Sequence, residues 1–296
     1  MTRILEYLID DKAAGLTAEQ YLRELGCSRN VLSRLKTAPE GITVNGIPVF
    51  SSHRLAAGDR LIISLPEDIS SQTLEPVRMD LDIIYEDGDL MVINKAAGVP
   101  VHPSQGNHGN TLANGLAWYF SQKGRPFVYR AVSRLDRDTT GLLIVAKNML
   151  SASMLSSMAA ARQIRREYLA VALGKTEERG TIDAPIARKE GSVIERMVDP
   201  VRGEKAVTHY RRLLYNERLD ASLVSLRLET GRTHQIRVHM ASIGHPLPGD
   251  FLYCPDYSLI HRQALHSHRL AFTHPITKKE LHFEAPLPDD MRFILL

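Results

Sequence analysis

The sequence predicts an α+β fold: a large, mainly antiparallel mixed-sheet domain behind a small N-terminal unit. Three observations carry that expectation. Strand-like runs recur along most of the chain with helices interspersed. Residues 67–79, EDISSQTLEPVRM, lack an apolar period and carry Ser70, Ser71 and Pro76, as a linker does. No internal repeat is visible, and 296 residues suffice for one large domain plus a small module. The expected boundaries are 1–66, a linker over 67–79, and 80–296, each unit with its own apolar face.

In the first unit, Thr17 and Gln20 form a capping box that opens a helix with Tyr21, Leu22 and Leu25 on one face, and Gly26 stops it. Ser28 caps a second helix, RNVLSRLKTA, whose buried stripe is Val31, Leu32 and Leu35. Arg29 and Lys36 fall on its far side, with Arg34 at the edge. GITVNGIPV alternates around Asn45-Gly46, the strongest short hairpin signal, and AGDRLIISL adds a strand.

The larger unit opens with LDIIYEDGDLMVINK, two strands around a turn at residues 86–89. After the loop AAGVPVHPSQGNHGN a helix is expected from Thr111 to about Gln122. GLLIVAK reads as a buried strand, and SASMLSSMAAARQ as a helix with Met154, Leu155, Met158 and Ala161 inward. REYLAVAL and ASLVSLRLE add strands, and RTHQIRVHMASIG turns helical after Thr233.

Composition narrows the class. With 44% hydrophobic and 24% charged residues the chain reads as globular and soluble. A net charge of +3 permits an acidic partner without demanding one. No apolar run approaches the roughly 18 residues of a membrane span, and the charged start, MTRILEYLIDDKAAG, is no signal peptide. Cys27 and Cys254 lie far apart and have no metal spacing, which fits a reducing, cytoplasmic setting.

AVSRLDRDTTGLLIVAK, residues 131–147, holds the densest chemistry. Asp136 and Asp138 sit among Arg134 and Arg137 just before a rigid strand, so a side chain there can be fixed in place yet open to a cleft. A carboxylate beside an arginine stays ionised, as a nucleophile or base must. Further along stand Tyr168, Arg237 and several histidines. A glycosidase-like pairing of Asp136 and Asp138 is weakened by their spacing, since two positions apart on an extended chain they point to opposite faces. Asp138 reads better as an acceptor within the turn. His234, His239 and His245 have no cysteine at ligand spacing, so a helix-face or partner-contacting role is expected and no metal.

Two resemblances sharpen these readings. Helix, basic helix, hairpin and Gly-Asp strand, in that order, resemble the alpha-L RNA-binding module of a small-subunit ribosomal protein and many RNA-modifying enzymes. The resemblance implies that Arg29, Arg34 and Lys36 face RNA; a solvated helix face would account for the same cations. SRLDRDTTGLLIVAK, REYLA and TGRTHQIRVHMASIGHPLPGD resemble the signature segments of RluA-family RNA pseudouridine synthases. NKAAGVPVHPS and RQALHSHRLAFTHPITKKELHFEAPLP extend the likeness over residues 80–290.

That resemblance implies an isomerase with no metal or organic cofactor, acting on RNA. Asp136 matches the catalytic aspartate, Arg237 its arginine partner, and Tyr168 the tyrosine against the target base. Ile236 would be an apolar wall beside it, and Arg134 would fill the stack a flipped nucleotide leaves. His102 is a further backbone contact, or a satisfied loop histidine. Ser133, Ala96 and Pro248 depart from the family's His, Pro and Leu, and none removes a catalytic group. The N-terminal module favours large-subunit ribosomal RNA over transfer RNA. No protein partner is indicated, and a monomer is expected. A non-catalytic RNA-binding or assembly factor would have lost Asp136, Tyr168 or Arg237; all three are present.

Overall fold

The computed structural model describes residues 3–66, 74–104, 106 and 108–296. The first unit contains β1 (Arg3–Leu8), α1 (Ala18–Glu24), α2 (Arg29–Thr37), β2 (Ile42–Val44), β3 (Ile47–Pro48) and β4 (Arg60–Leu65). Thr17 and Gln20 make the capping box and Ser28 caps α2. Asn45 and Gly46, both at positive φ, turn β2 into β3. The antiparallel sheet runs β1-β4-β2-β3. β1 is an element that sequence reading left out. It is an edge strand with Leu5 inward, while Glu6 faces out and pairs with Arg60 on β4, so its charges mask the alternation.

The two units do not keep separate cores. Leu22, Val31, Leu32 and Leu35 share one apolar cluster with Leu150 and Met154 of the larger unit. Ser153 stitches the seam: its hydroxyl donates to Gly26 O (2.7 Å) and accepts from the Ser28 amide (2.7 Å). Arg3 adds two bonds to Asp89, of 3.0 and 2.5 Å. The expectation that each unit buries its own face therefore fails at this seam, and removing residues 1–66 would bare Leu150 and Met154. Part of the expected linker, 67–73, lies outside the described residues. Residues 74–79 form neither helix nor strand, and the Asn114 side chain ties down Glu75 O.

The larger unit continues with β5 (Asp82–Glu86), β6 (Leu90–Lys95), α3 (Leu112–Gln122), β7 (Thr140–Ala146), α4 (Met149–Ala160) and β8 (Arg165–Leu173). β9 (Arg179–Asp183), β10 (Ile186–Arg188), β11 (Arg196–Val198), β12 (Val207–Asn216) and β13 (Ala221–Leu228) follow. Then come α5 (Gln235–Ser242), β14 (Leu265–Thr273), β15 (Glu280–Glu284) and a closing 3₁₀ turn, Asp289–Leu295. One sheet runs β5-β6-β7-β14-β8-β13-β12-β9, with β15 also on β14. Among the described residues, only β7 and β14 pair in parallel, through Thr140-Gly141 and His266-Ser267. A mainly antiparallel α+β fold is what the mixture of many strands with interspersed helices predicts.

Close approach explains Gly141. Its φ is +107°, and a Cβ there would stand 2.2 Å from Ser267 O. The interior strands β7 and β14 meet at that point, immediately after the Asp136 loop, so the loop springs from inside the sheet rather than from its edge. On α4, Met154 and Leu155 are buried as expected, but Ala161 is exposed and Leu150 and Ser151 are inside instead. The helix ends a residue before Ala161, which cannot then complete the stripe.

Candidate active site

The backbone that presents Asp136 is pinned from beneath by two cations. Lys95, 2% exposed, donates to Ala96 O (2.7 Å), Val99 O (2.9 Å) and Arg137 O (2.7 Å). Burial pushes its ammonium down to about 7, against the pull of Asp138 and Asp136. Arg262 donates to Asp138 O (3.2 Å) while its other nitrogens grip Asp290 at 2.7 and 2.8 Å. Asp138 accepts from Arg137 at 2.9 to 3.1 Å, the turn role expected of it. Ala96 needs only its carbonyl to serve Lys95, so the departure there leaves this support intact.

Opposite stands α5. Gln235 anchors its start by donating to Val207 O (2.9 Å) and Thr208 Oγ1 (3.0 Å). Two residues on, Arg237 is 2% exposed. It donates from Nη1 to Asp136 Oδ2 (2.8 Å), and from Nε and Nη2 to the two oxygens of Asp250, both 2.6 Å. Desolvation opposes the charge, but the bonds to Asp250 and the field of Asp136 outweigh it, and the guanidinium pKa is raised. Asp250 is fully buried and also accepts the amides of Leu252 (3.0 Å) and Tyr253 (3.3 Å). Gly249 lets the chain turn there: at φ +73° its Cβ would lie 2.2 Å from Arg262 O.

A cleft of about 970 Å³ opens over this pair, lined among others by His102, Arg134, Asp136, Tyr168, Ile236 and Arg237. The fold thus gathers all six large-unit residues singled out from sequence, from four separate stretches of chain. Tyr168 and Ile236, 8% and 4% exposed, belong to the apolar core beneath the cleft. Burial raises the Tyr168 hydroxyl pKa. Arg134 is exposed and reaches Thr233 Oγ1 across the mouth (3.4 Å). His102 packs edge-on to Tyr129, ring centres 5.0 Å apart. Around the rim, Arg162, Arg227 and Arg269 pair with glutamates at 3.4, 2.7 and 2.8 Å. Arg166, half-buried, makes no ion pair among the described residues, and its shielded Nη2 meets no acceptor.

Arg29, Arg34 and Lys36 lie outside the cleft, on α2, where Lys36 is bonded to Glu19 (2.7 Å). The three histidines near α5 do not converge. His239 is wholly buried between Thr208 Oγ1 (2.9 Å) and Ala184 O (2.8 Å), a core role rather than the helix-face or partner-contacting one expected. His245 caps Leu173 O (2.9 Å). Asp87, Asp89 and His274 do come together, their ligand atoms within 4.8 Å. Their polar atoms are already engaged: His274 meets Asp87 at 2.8 Å, and Asp89 holds Arg3, Asn148 and Ser151.

Sequence reading missed three participants. Asp250 stood in the quoted GHPLPGD with no role given to it. Lys95 was noted only for its neighbour Ala96. His234, whose Nε2 lies 4.0 Å from Asp136 Oδ1, was grouped with possible zinc ligands. For Asp250 no local pattern marks the role, because the burial of Arg237 that calls for a second counter-charge is not written in residue order.

The cleft thus presents a loop carboxylate held by a buried guanidinium beside an aromatic side chain. Comparison with known proteins names its kind. Residues 89–242 match the family model described as RNA pseudouridylate synthase. Over 93% of its length the chain is 44% identical to YjbO of Bacillus subtilis, an uncharacterized RNA pseudouridine synthase, of which it covers 97%. It is 39% identical to ribosomal large subunit pseudouridine synthase D of Nitrosomonas europaea, over 98% of this chain and 87% of that one. Among solved structures, human RNA pseudouridylate synthase domain containing 1 superposes with a TM-score of 0.58 at 28% identity, over 74% of this chain and 86% of the other. The chain belongs to the RNA pseudouridine synthase family. Such enzymes are isomerases, and the activity is on RNA. Among the described residues no helix is long and apolar enough to cross a membrane.

Proposed function

We propose that this synthase modifies uridines of large-subunit ribosomal RNA, with Asp136 as its essential group and with the target base flipped into the cleft. The observation that carries the reading is the Asp136–Arg237 contact of 2.8 Å beneath a cleft that Tyr168 also lines. Isomerisation breaks the bond from ribose to ring nitrogen and rejoins the ring through carbon. Asp136, its carboxyl 29% exposed against 2% for Arg237, is the ionisable group best able to reach the ribose, as nucleophile or as base. Arg237 fixes its direction without moving during reaction. Tyr168 and Ile236 offer the uracil an apolar slot.

A base buried in duplex RNA must leave its stack at a cost of a few kcal/mol. Arg134, exposed at the rim, is suited to occupy the gap, and the unpaired Arg166 to meet a phosphate. Residues 1–66 act in this reading as an alpha-L module that adds backbone contacts through Arg29, Arg34 and Lys36, with residues 67–79 as its linker. The relatives named for the ribosomal large subunit align along nearly the whole chain, this unit included, which favours ribosomal over transfer RNA. The enzyme works in this reading as a cytoplasmic monomer without metal or organic cofactor.

The test is a map of pseudouridine in total RNA from cells lacking the protein, complemented with wild type or Asp136→Asn. Positions in large-subunit RNA should vanish and return only with wild type. Losses confined to transfer RNA would overturn the substrate; restoration by Asp136→Asn would overturn the role of Asp136.

A further inference from the structure

His234 occupies an uncommon backbone state. At φ 57° and ψ 19° it is left-handed, and it precedes α5 without any side-chain capping bond. Histidine is among the few non-glycine residues that enter this region, and such residues concentrate at functional sites. What the conformation achieves is placement of the ring. Nδ1 lies 3.0 Å from the Tyr253 hydroxyl, and Nε2 lies 4.0 Å from Asp136 Oδ1, the oxygen that Arg237 leaves open. The side chain is only 13% exposed.

Hydrogen-bond accounting then selects a tautomer. Tyr253 oxygen already accepts the Arg196 amide at 2.9 Å. Among the described residues, the acceptor within hydrogen-bond distance of its single proton is His234 Nδ1. That leaves the ring proton on Nε2, directed at Asp136. The opposite tautomer would aim a lone pair at the carboxylate and take from the tyrosine proton its acceptor among the described residues. Burial lowers the imidazole pKa, with Asp136 opposing, and Arg237, Asp250 and Arg196 are the other charges that face it. Ring and carboxylate therefore meet as neutral donor and anion.

We propose that His234 is a positioning residue for the isomerisation, presenting an Nε2–H to Asp136 Oδ1 in the tautomer that Tyr253 selects. Arg237 and His234 then hold one oxygen each, so the carboxylate cannot rotate away from the ribose. The 4.0 Å gap closes to a hydrogen bond when substrate is loaded, as catalytic contacts commonly do. This rests on the reading of Asp136 as the essential group.

His234→Asn isolates the donor from the backbone, because asparagine tolerates the left-handed state but is too short to reach Asp136. It should melt with wild type while kcat falls about 100-fold at unchanged KM, the scale of a misaligned reacting group. Tyr253→Phe should lower kcat in the same direction and by less. Nitrogen NMR of labelled histidine should find His234 as the Nε2–H form in wild type and a changed tautomer balance in Tyr253→Phe. A kcat for His234→Asn within twofold of wild type, or an Nδ1–H tautomer in wild type, would overturn the proposal. Asp136→Asn belongs in the same assay: its survival would sink the essential aspartate, whereas its failure beside an intact His234→Asn would sink only this inference.

Discussion

Asp250 and Asp136 share the guanidinium of Arg237 and differ in almost everything else. Asp250 is buried, takes two bonds of 2.6 Å and accepts two backbone amides besides. Asp136 takes one bond of 2.8 Å from Arg237 and keeps nearly a third of its carboxyl exposed. One corner is an anchor with its acceptor capacity filled; the other is a working end with capacity to spare. An enzyme that needs an aimed but reactive carboxylate gains from this division. The desolvated pair holds the arginine still, and the arginine can then direct a second aspartate without engulfing it.

The sharpest way to break that contrast is Arg237→Ala. Activity should be lost and stability should fall by about 3–5 kcal/mol, the cost of leaving a buried charge unpaired. Adding Asp250→Asn should restore part of the stability, while adding Asp136→Asn should restore little. Denaturant unfolding of the two double variants measures this. Equal recovery from both would erase the distinction between anchor and working end.

Acid probes the rigid rear of the Asp136 loop. His266, 1% exposed, bridges Thr140 Oγ1 (2.9 Å) and Ala285 O (3.2 Å) where β7 meets β14. Burial pushes its imidazole from 6.5 down to about 4. The unfolded chain therefore binds the extra proton first, so this contribution is present above pH 6.5 and is lost as pH falls towards 4. The shift is worth at most ~3 kcal/mol. Melting temperature should drop across that window in wild type. A flat profile would mean that His266 does not hold the loop's base.

Smaller effects are expected from the exposed cations. Arg29→Gln should lower the slope of log affinity against log salt by about 0.7 to 0.9. Lys36→Gln should lower it less, because Glu19 already neutralises Lys36. Equal decrements would show that RNA displaces Glu19. Dialysis against a strong chelator at controlled magnesium should change nothing. A loss restored by zinc would bring Asp87, Asp89 and His274 into the chemistry.

Legibility followed distance along the chain. The capping box at Thr17, the helix start at Thr111, the Asn45-Gly46 turn and the placement of Asp136 before a strand were readable because partners lie within a few positions. The pairing of Asp136 with Arg237, 101 residues apart, came from resemblance rather than from any local pattern. Asp250 and His234 were quoted and passed over, since neither burial nor a left-handed φ leaves a mark in residue order. β1 escaped notice because half its face is charged.

The sequence by itself determined the α+β class, the caps that open α1 and α2, the strands β2 to β8 and β13, and the set of side chains able to do the chemistry. These follow from short-range hydrogen bonding and from the period at which apolar residues recur. Strands β9 to β12, β14 and β15 emerge only in the folded chain. Tertiary structure alone decided that Arg237 divides itself between Asp250 and Asp136, that Tyr253 orients His234, and that α4 lends Leu150 and Met154 to the N-terminal core. Burial, charge pairing and tautomer depend on which atoms meet across distant segments, and only the packed chain brings those atoms together.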